Sequence, residues 1–295
     1  MKRRGAYAFV RNGAAWTQQA YLKAGNAGAA DRFGGAVAIS GDTVVVGATG
    51  EDSGTSGVNS IPDEEGKSNG AAYVFVRSGT AWSQQAFLKA SNPVLDMEFG
   101  NTVAVSGDIV VVGSAEENSG STGVDSTPDG SATNAGAAYA YARSGTAWSQ
   151  LAYLKPANTG QGDRFAESVA VSGDTIVVGA PFEDSGSSGP NAVPDENAAD
   201  AGAAYVFEAG TPVEGGLRWG TPAIVRDGNQ AQLRVIGEPG TTYTLYRSGS
   251  LAPMTWQPLA DMTAPASGAM LFTDPAAAEP EFFYRIGEAG APPGP

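Results

Sequence analysis

Carboxylates carry most of the chemistry open to this 295-residue sequence, and they are grouped. Three polar stretches hold Glu51, Asp52, Asp63, Glu64 and Glu65; Glu116, Glu117, Asp125 and Asp129; and Glu183, Asp184, Asp195, Glu196 and Asp200. Lys67 is the one cation among them, so these stretches account for nearly all of the formal net charge of -14. Such oxygen-rich loops suit a hard cation, and Ca²⁺ takes about six to eight oxygens from carboxylates, hydroxyls and carbonyls. The first stretch sets Asp52, Ser56, Ser60 and Asp63 at positions 1, 5, 9 and 12, with Gly57 at 6. The second sets Asn118, Thr122, Gly123, Ser126 and Asp129 in the same frame, and the third Asp184, Ser188, Gly189, Ala192 and Asp195. Two readings follow. One is a weak Ca²⁺ site, with a dissociation constant of about 10⁻⁴–10⁻³ M, whose ligands are Asp52, Ser56, Asp63, Asn118, Asp129, Asp184, Ser188 and Asp195. The other is a solvated acidic loop that aids solubility. The low acid count and the glycine at position 3 of each copy (Gly54, Gly120, Gly186) favour the second.

Catalysis finds little support. The chain has no Cys and no His, which excludes Ser-His-Asp and Cys-His nucleophiles, disulfides and His- or Cys-ligated zinc. A carboxylate pair for glycoside hydrolysis needs a separation of about 5–9.5 Å and one raised pKa. Flexible polar loops offer little apolar surface to raise one, and the acids recur in every copy where a catalytic site is usually single. The sequence therefore reads as a non-enzyme. A sequence pI near 4.3 argues against nucleic acid and anionic membranes as partners. No run reaches the roughly 18 consecutive apolar residues of a membrane helix. The start, MKRRGAYAFVRNG, lacks the apolar core of a secretion signal.

The elements that must carry these loops repeat with a step of 66 residues. Tyr7, Tyr73, Tyr139 and Tyr205 keep it, as do Trp16, Trp82 and Trp148; Leu22, Leu88 and Leu154; Lys23, Lys89 and Lys155; Phe33, Phe99 and Phe165; and Gly47, Gly113 and Gly179. Each copy reads as four strands. In the first complete copy they are Phe33 to Ser40, the β-branched run Thr43 to Val46, Ala71 to Arg77, and the more polar Trp82 to Lys89. Ser-Gly-Asp turns join the first two strands, and Asn-Gly or Ser-Gly turns join the last two, since Gly tolerates the positive φ of tight hairpins. The polar fourth strand suits an outer edge. The acidic stretch is the long connection between the second and third strands, Ala48 to Asn69. Without it about 44 residues remain, the size of one four-stranded propeller blade. The recurring aromatics are expected in the core between blades, at roughly 1.5–3 kcal/mol each.

These strings resemble the FG-GAP repeat of integrin α-chain propellers: Phe33-Gly34-Gly35, Gly47-Ala48 and, most fully, Gly179-Ala180-Pro181. They are also similar to repeats of bacterial secreted and surface proteins. The resemblance covers about residues 5–208. It departs at Phe165-Ala166, at Gly113-Ser114-Ala115 and at Thr49, where Pro is expected. It implies an all-β, partial FG-GAP β-propeller: a half blade at 5–24 and blades at 33–90, 99–156 and 165–208. It further implies an extracellular or cell-surface location and binding or adhesion to a protein or glycan ligand. The dense Asp-rich Ca²⁺ loop of integrin blades joins their first two strands. Here that connection is only a Ser-Gly-Asp turn, so those ligands do not carry over. Thirteen strands make little more than three blades, and closed propellers have at least four. Either the chain is a piece of a longer protein or a homodimer completes the ring; the missing inner strands before Gly5 favour the first.

After a Gly/Pro linker at 209–216, residues 217–289 show a second all-β pattern. Alternation at Gln230 to Val235 and Thr242 to Arg247, with Trp256, Leu259, Leu271, Phe272, Phe283, Tyr284 and Ile286 as core candidates, predicts a small β-sandwich. It resembles a fibronectin-type-III-like module, which implies a spacer or attachment role. Residues 290–295 read as a disordered tail. The alternative to binding is a structural spacer with no specific ligand.

Overall fold

In the computed structural model, residues 5–209, 218–227, 230–236, 240–248, 257–264, 269–274 and 283–288 are described. They form nineteen strands and no helix, in two compact units, Met1–Ala209 and Gly210–Pro295. No helix long and apolar enough to cross a membrane therefore occurs among the described residues.

The first unit opens with a hairpin of β1 (Ala6–Asn12) and β2 (Ala15–Leu22). A four-stranded antiparallel sheet follows: β3 (Val37–Ser40), β4 (Thr43–Ala48), β5 (Ala71–Ser78) and β6 (Ala81–Leu88), paired in sequence order. The next copy repeats it with β7 (Thr102–Ser106), β8 (Ile109–Ser114), β9 (Ala137–Ser144) and β10 (Ala147–Leu154). The last sheet has three strands: β11 (Ser168–Ser172), β12 (Thr175–Ala180) and β13 (Ala203–Glu208). These are the four-stranded antiparallel blades and the 66-residue period expected from the sequence.

Strand chemistry explains the stacking. Every residue of β4 and β8 is buried, as β-branched runs covered on both faces should be. Side chains alternate along each strand, and here the alternation separates ring from stub. Tyr73, Phe75 and Phe87 lie in one core with Ala6 and Leu22 of the first hairpin and Ala24 just after it. Val45, Ala72, Val74, Ala86 and Leu88, on the other face, lie in a second core with Tyr139, Tyr141 and Tyr153 of the next blade. Each blade thus turns an aromatic face to the blade before it and an aliphatic face to the blade after it. Rings between blades were the expectation, and rings are what fill these cores. At the ends of the stack the same positions are open: Tyr7 and Phe9 are each 54% exposed, and Val206 is 67% exposed.

The first strand is shorter than the sequence suggested. It starts at Val37 rather than Phe33, because Gly34 takes φ +91° and turns the chain out of the strand. The turn leaves the Phe33 ring edge-on to Tyr73 and Phe75, at centroid distances of 5.5 and 6.1 Å. Phe99 meets Tyr139 and Tyr141, and Phe165 meets Tyr205 and Phe207, in the same way. A methyl group on Gly47 would strike the Gly100 carbonyl oxygen, and one on Gly113 the Ala166 carbonyl oxygen. The Phe-Gly turn of one blade therefore nests on the Gly-Ala end of the previous blade's second strand, where only a hydrogen fits.

The second unit contains β14 (Arg218–Asp227), β15 (Gln230–Ile236), β16 (Thr242–Ser248), β17 (Gln257–Thr263), β18 (Ala269–Asp274) and β19 (Phe283–Glu288). They form two three-stranded antiparallel sheets, β14-β15-β18 and β17-β16-β19. Leu233, Val235, Met270 and Phe272 of the first sheet share one core with Tyr243 and Leu245 of the second. The two sheets are also joined where Arg247 donates to both carboxylate oxygens of Asp274, at 3.0 and 2.9 Å. Linker residues 210–216, Trp256 and the tail at 290–295 lie outside the described residues.

Candidate functional site

The three acidic stretches join the second and third strands of successive blades, and each is anchored from within. Glu51, the first acid of its loop after β4, turns inward and is fully buried. Its Oε2 accepts from Lys89 Nζ at 2.8 Å and from the Ser53 amide at 3.2 Å, and its Oε1 accepts from Asn26 Nδ2 at 3.0 Å. Lys89, also fully buried, donates further to the Ser53 carbonyl at 2.7 Å and the Gly70 carbonyl at 2.6 Å. Asn26 Oδ1 accepts from the Tyr73 hydroxyl at 2.9 Å. The chain Tyr73–Asn26–Glu51–Lys89 thus ties together the third strand, the preceding linker, the loop and the outer strand.

The second copy repeats it. Tyr139 donates to Asn92 at 2.7 Å, Asn92 to Glu117 at 3.1 Å, and Lys155 to Glu117 at 3.3 Å and to the Gly136 carbonyl at 2.6 Å. The third copy repeats it without a lysine. Tyr205 donates to Asn158 at 2.9 Å, Asn158 to Glu183 at 2.8 Å, and the Ser185 amide to Glu183 Oε2 at 3.2 Å.

Burial dominates the electrostatics of this network. It lowers the pKa of Lys89 and of Lys155, and the Glu51 and Glu117 carboxylates work against that shift. It raises the hydroxyls of Tyr73 and Tyr139, and pushes that of Tyr205 up to about 12. Asp163, beside the third loop, is raised by burial and by the nearby charges of Glu196, Glu183 and Asp184.

The residues singled out as metal ligands serve two separate ends of each loop. Asp52 Oδ1 accepts from the Ser68 amide at 2.7 Å, Asn118 Oδ1 from Asn134 at 2.9 Å, and Asp184 Oδ1 from Asp200 at 2.8 Å. Asp63 Oδ1 accepts from the Gly54 and Glu65 amides at 2.8 and 3.2 Å. Asp129 Oδ1 gathers Gly120, the Ser131 amide and the Ser131 hydroxyl, and Asp195 Oδ1 gathers Gly186 and Asn197. These hydrogen bonds favour the ionised form. The Gly54 amide, then that of Glu65, lowers Asp63; the Ser131 amide and hydroxyl, then the Gly120 amide, lower Asp129 to about 2; and the Asn197 side chain, then the Gly186 amide, lowers Asp195. Ser56 and Ser188 are exposed on the loop tips. Among the described residues no group of three acidic side chains converges to hold a metal ion. These aspartate carboxylates act as internal caps of the loops.

Sequence reasoning noted Lys89, Lys155 and the tyrosines as repeated columns without assigning them partners, and it missed Asn26, Asn92 and Asn158. The signal was present: a lysine repeated directly after an apolar Leu has no reason to recur on a solvated edge. The blades are tied further by tryptophan. Trp82 Nε1 donates to Gln19 Oε1, and Trp148 Nε1 to Gln85 Oε1, both at 2.8 Å and both across to the preceding blade. A family model described as FG-GAP repeat matches residues 16–75, 82–141 and 148–207. No curated protein matches the chain.

Proposed function

The chain belongs to the FG-GAP repeat family, and on that premise we propose that it is a non-catalytic binding module of an extracellular or cell-surface protein, engaging a protein or glycan through its acidic loops. FG-GAP repeat proteins are typically non-enzymatic binding or scaffold proteins. The observation that carries the finer reading is the shared anchoring of the three loops. Each buries one glutamate, Glu51, Glu117 or Glu183, and exposes an aspartate at the same place, Asp63, Asp129 or Asp195, so an equivalent carboxylate repeats on a fixed scaffold. Preorganised loops lose little entropy on binding, and repeated like charge attracts a ligand of opposite charge.

The test is binding of the purified chain to a glycan array and to a panel of cationic proteins. The reading expects binding that weakens as salt rises and that falls when Glu64, Glu65 and Glu196 are changed to Gln. No binding, or binding indifferent to salt and to these changes, contradicts it. Weak Ca²⁺ ligation belongs to the same proposal through single exposed carboxylates such as Asp63. It predicts a higher melting temperature in several millimolar Ca²⁺, and an unchanged one refutes it. The second unit, with its fibronectin-type-III-like pattern, is proposed as a spacer or attachment module.

A further inference from the structure

The last blade holds a slot built for a strand that the described residues do not supply. In the two complete blades the outer strand lies between two rails. One is the third strand, β5 or β9, through the antiparallel ladder. The other is the acidic loop, which bonds to the end of the outer strand. Asn59 N donates to the Phe87 carbonyl at 2.7 Å, the Phe87 amide donates to Asn59 Oδ1 at 2.9 Å, and the Lys89 amide donates to the Gly57 carbonyl at 3.0 Å. Asp125 and Tyr153 repeat the first two bonds at 2.8 and 2.9 Å. The lysine that ends the strand then fills the oxygen cage of Glu51, Ser53 and Gly70, or that of Glu117 and Gly136.

In the last blade the loop side of this slot keeps the conformation it has in the other two. Among the described residues β13 pairs with β12 alone. Asn191 holds φ 57°, against 55° for Asn59 and 54° for Asp125. Gly189 holds φ 89°, against 85° for Gly57 and 83° for Gly123. Glu183 is 2% exposed and takes the Ser185 amide and the Asn158 side chain as its counterparts do. The Gly202 amide bonds the Glu183 carbonyl at 2.8 Å, as Gly70 and Gly136 bond Glu51 and Glu117 at 2.9 Å. What the described residues do not supply is the ammonium, and the position one period after Lys155 is Thr221. A nearly buried carboxylate facing a cage that holds an ammonium in two sister repeats is a site with a defined ligand chemistry.

We propose that the β13 edge and the third loop form a docking slot for an extended peptide strand of another polypeptide, ending in aromatic–Leu–Lys. The peptide adds antiparallel to β13, which is strand augmentation. Its aromatic residue covers Tyr205, as Phe87 covers Tyr73 at 5.3 Å and Tyr153 covers Tyr139 at 5.3 Å. Its lysine ammonium neutralises Glu183. The slot is separate from the outward carboxylates, so this proposal does not depend on the loop-face reading, and the two are measured with different probes.

The probe is a fluorescein-labelled peptide with the sequence of residues 80–91, titrated by anisotropy against the full chain. A second peptide replaces its lysine with Met. The expected result is one-to-one binding, weakened about thirtyfold or more by the lysine replacement, since removing one partner of a buried charge pair is costly. Glu183→Gln in the protein is expected to weaken the lysine peptide and to erase the difference between the two peptides. The bound peptide should also slow amide exchange along β13 and leave β1 unchanged. No binding at millimolar peptide, equal binding of both peptides, or exchange protection away from β13 overturns the proposal. If Glu183→Gln does not fold, the comparison of the two peptides on the unsubstituted protein decides alone.

Discussion

Replacing Lys89 with Met keeps most of the side-chain volume and deletes three hydrogen bonds, of 2.8, 2.7 and 2.6 Å. It leaves the Glu51 carboxylate with the Asn26 side chain and the Ser53 amide, and the Ser53 and Gly70 carbonyls lose their shared donor. Breaking a buried ion pair from one side costs about 3–5 kcal/mol, because the remaining charge is stranded in low dielectric. For a unit of this size that lowers the melting temperature by roughly 6–20 °C. Glu51→Gln together with Lys89→Met removes both charges. The double variant should recover a large part of the loss, since replacing a buried pair by neutral groups is often nearly neutral. Lys155→Met should cost less, since its contact with Glu117 is longer, at 3.3 Å. Differential scanning calorimetry of the unsubstituted chain, Glu51→Gln, Lys89→Met and the double variant closes the cycle. A Lys89→Met protein that melts with the unsubstituted chain, or a double variant no better than Lys89→Met alone, would show that the buried pair does not hold the loop.

Ala166 holds φ 73° at the position where Gly34 and Gly100 stand in the other repeats, so Ala166→Gly should stabilise the unit by about 1 kcal/mol. Gly100→Ala should destabilise it by more, because its methyl group would also meet the Ala71 carbonyl; urea denaturation measures both. Trp82→Phe keeps an aromatic ring and loses the bond to Gln19, which predicts a loss of at least about 1 kcal/mol in the same assay. The Asp129 carboxyl is depressed to about 2 from 3.8. The stability it adds is fully present above the unfolded value and is lost as the pH falls from about 4 towards 2. Asp129→Asn should flatten that part of an acid-denaturation curve, and a curve of unchanged shape contradicts the assignment.

The fold was legible because each repeat states it again. A column such as Tyr73, Tyr139 and Tyr205 survives only where the same environment recurs, and the β-branched run at Thr43 to Val46 could only be an inner strand. The start of β3 was less legible, because Phe33 is apolar enough to continue a strand and only the positive φ of Gly34 takes it out. The loops were legible as charge but not as structure. Spacing alone cannot show whether an aspartate turns to an ion or to the amides two and nine residues away, and Asp63 turns to the amides. Nor does a local window reveal that Glu51, flanked by polar residues, is buried. Its partners Asn26 and Lys89 lie 25 and 38 residues away, and the pairing appears only when the Glu, Asn and Lys columns are read together.

Buried Tyr–Asn–Glu–Lys chains hold the first two acidic loops as fixed parts of their blades. Amide hydrogen exchange resolved to single residues tests this most directly, at Gly54, Ser68 and Gly70 and at Gly120, Asn134 and Gly136, whose amides bond within the loops. Protection within an order of magnitude of that in β4 and β8 is predicted. Exchange at the rate of an unstructured peptide, with β4 and β8 still protected, would contradict it.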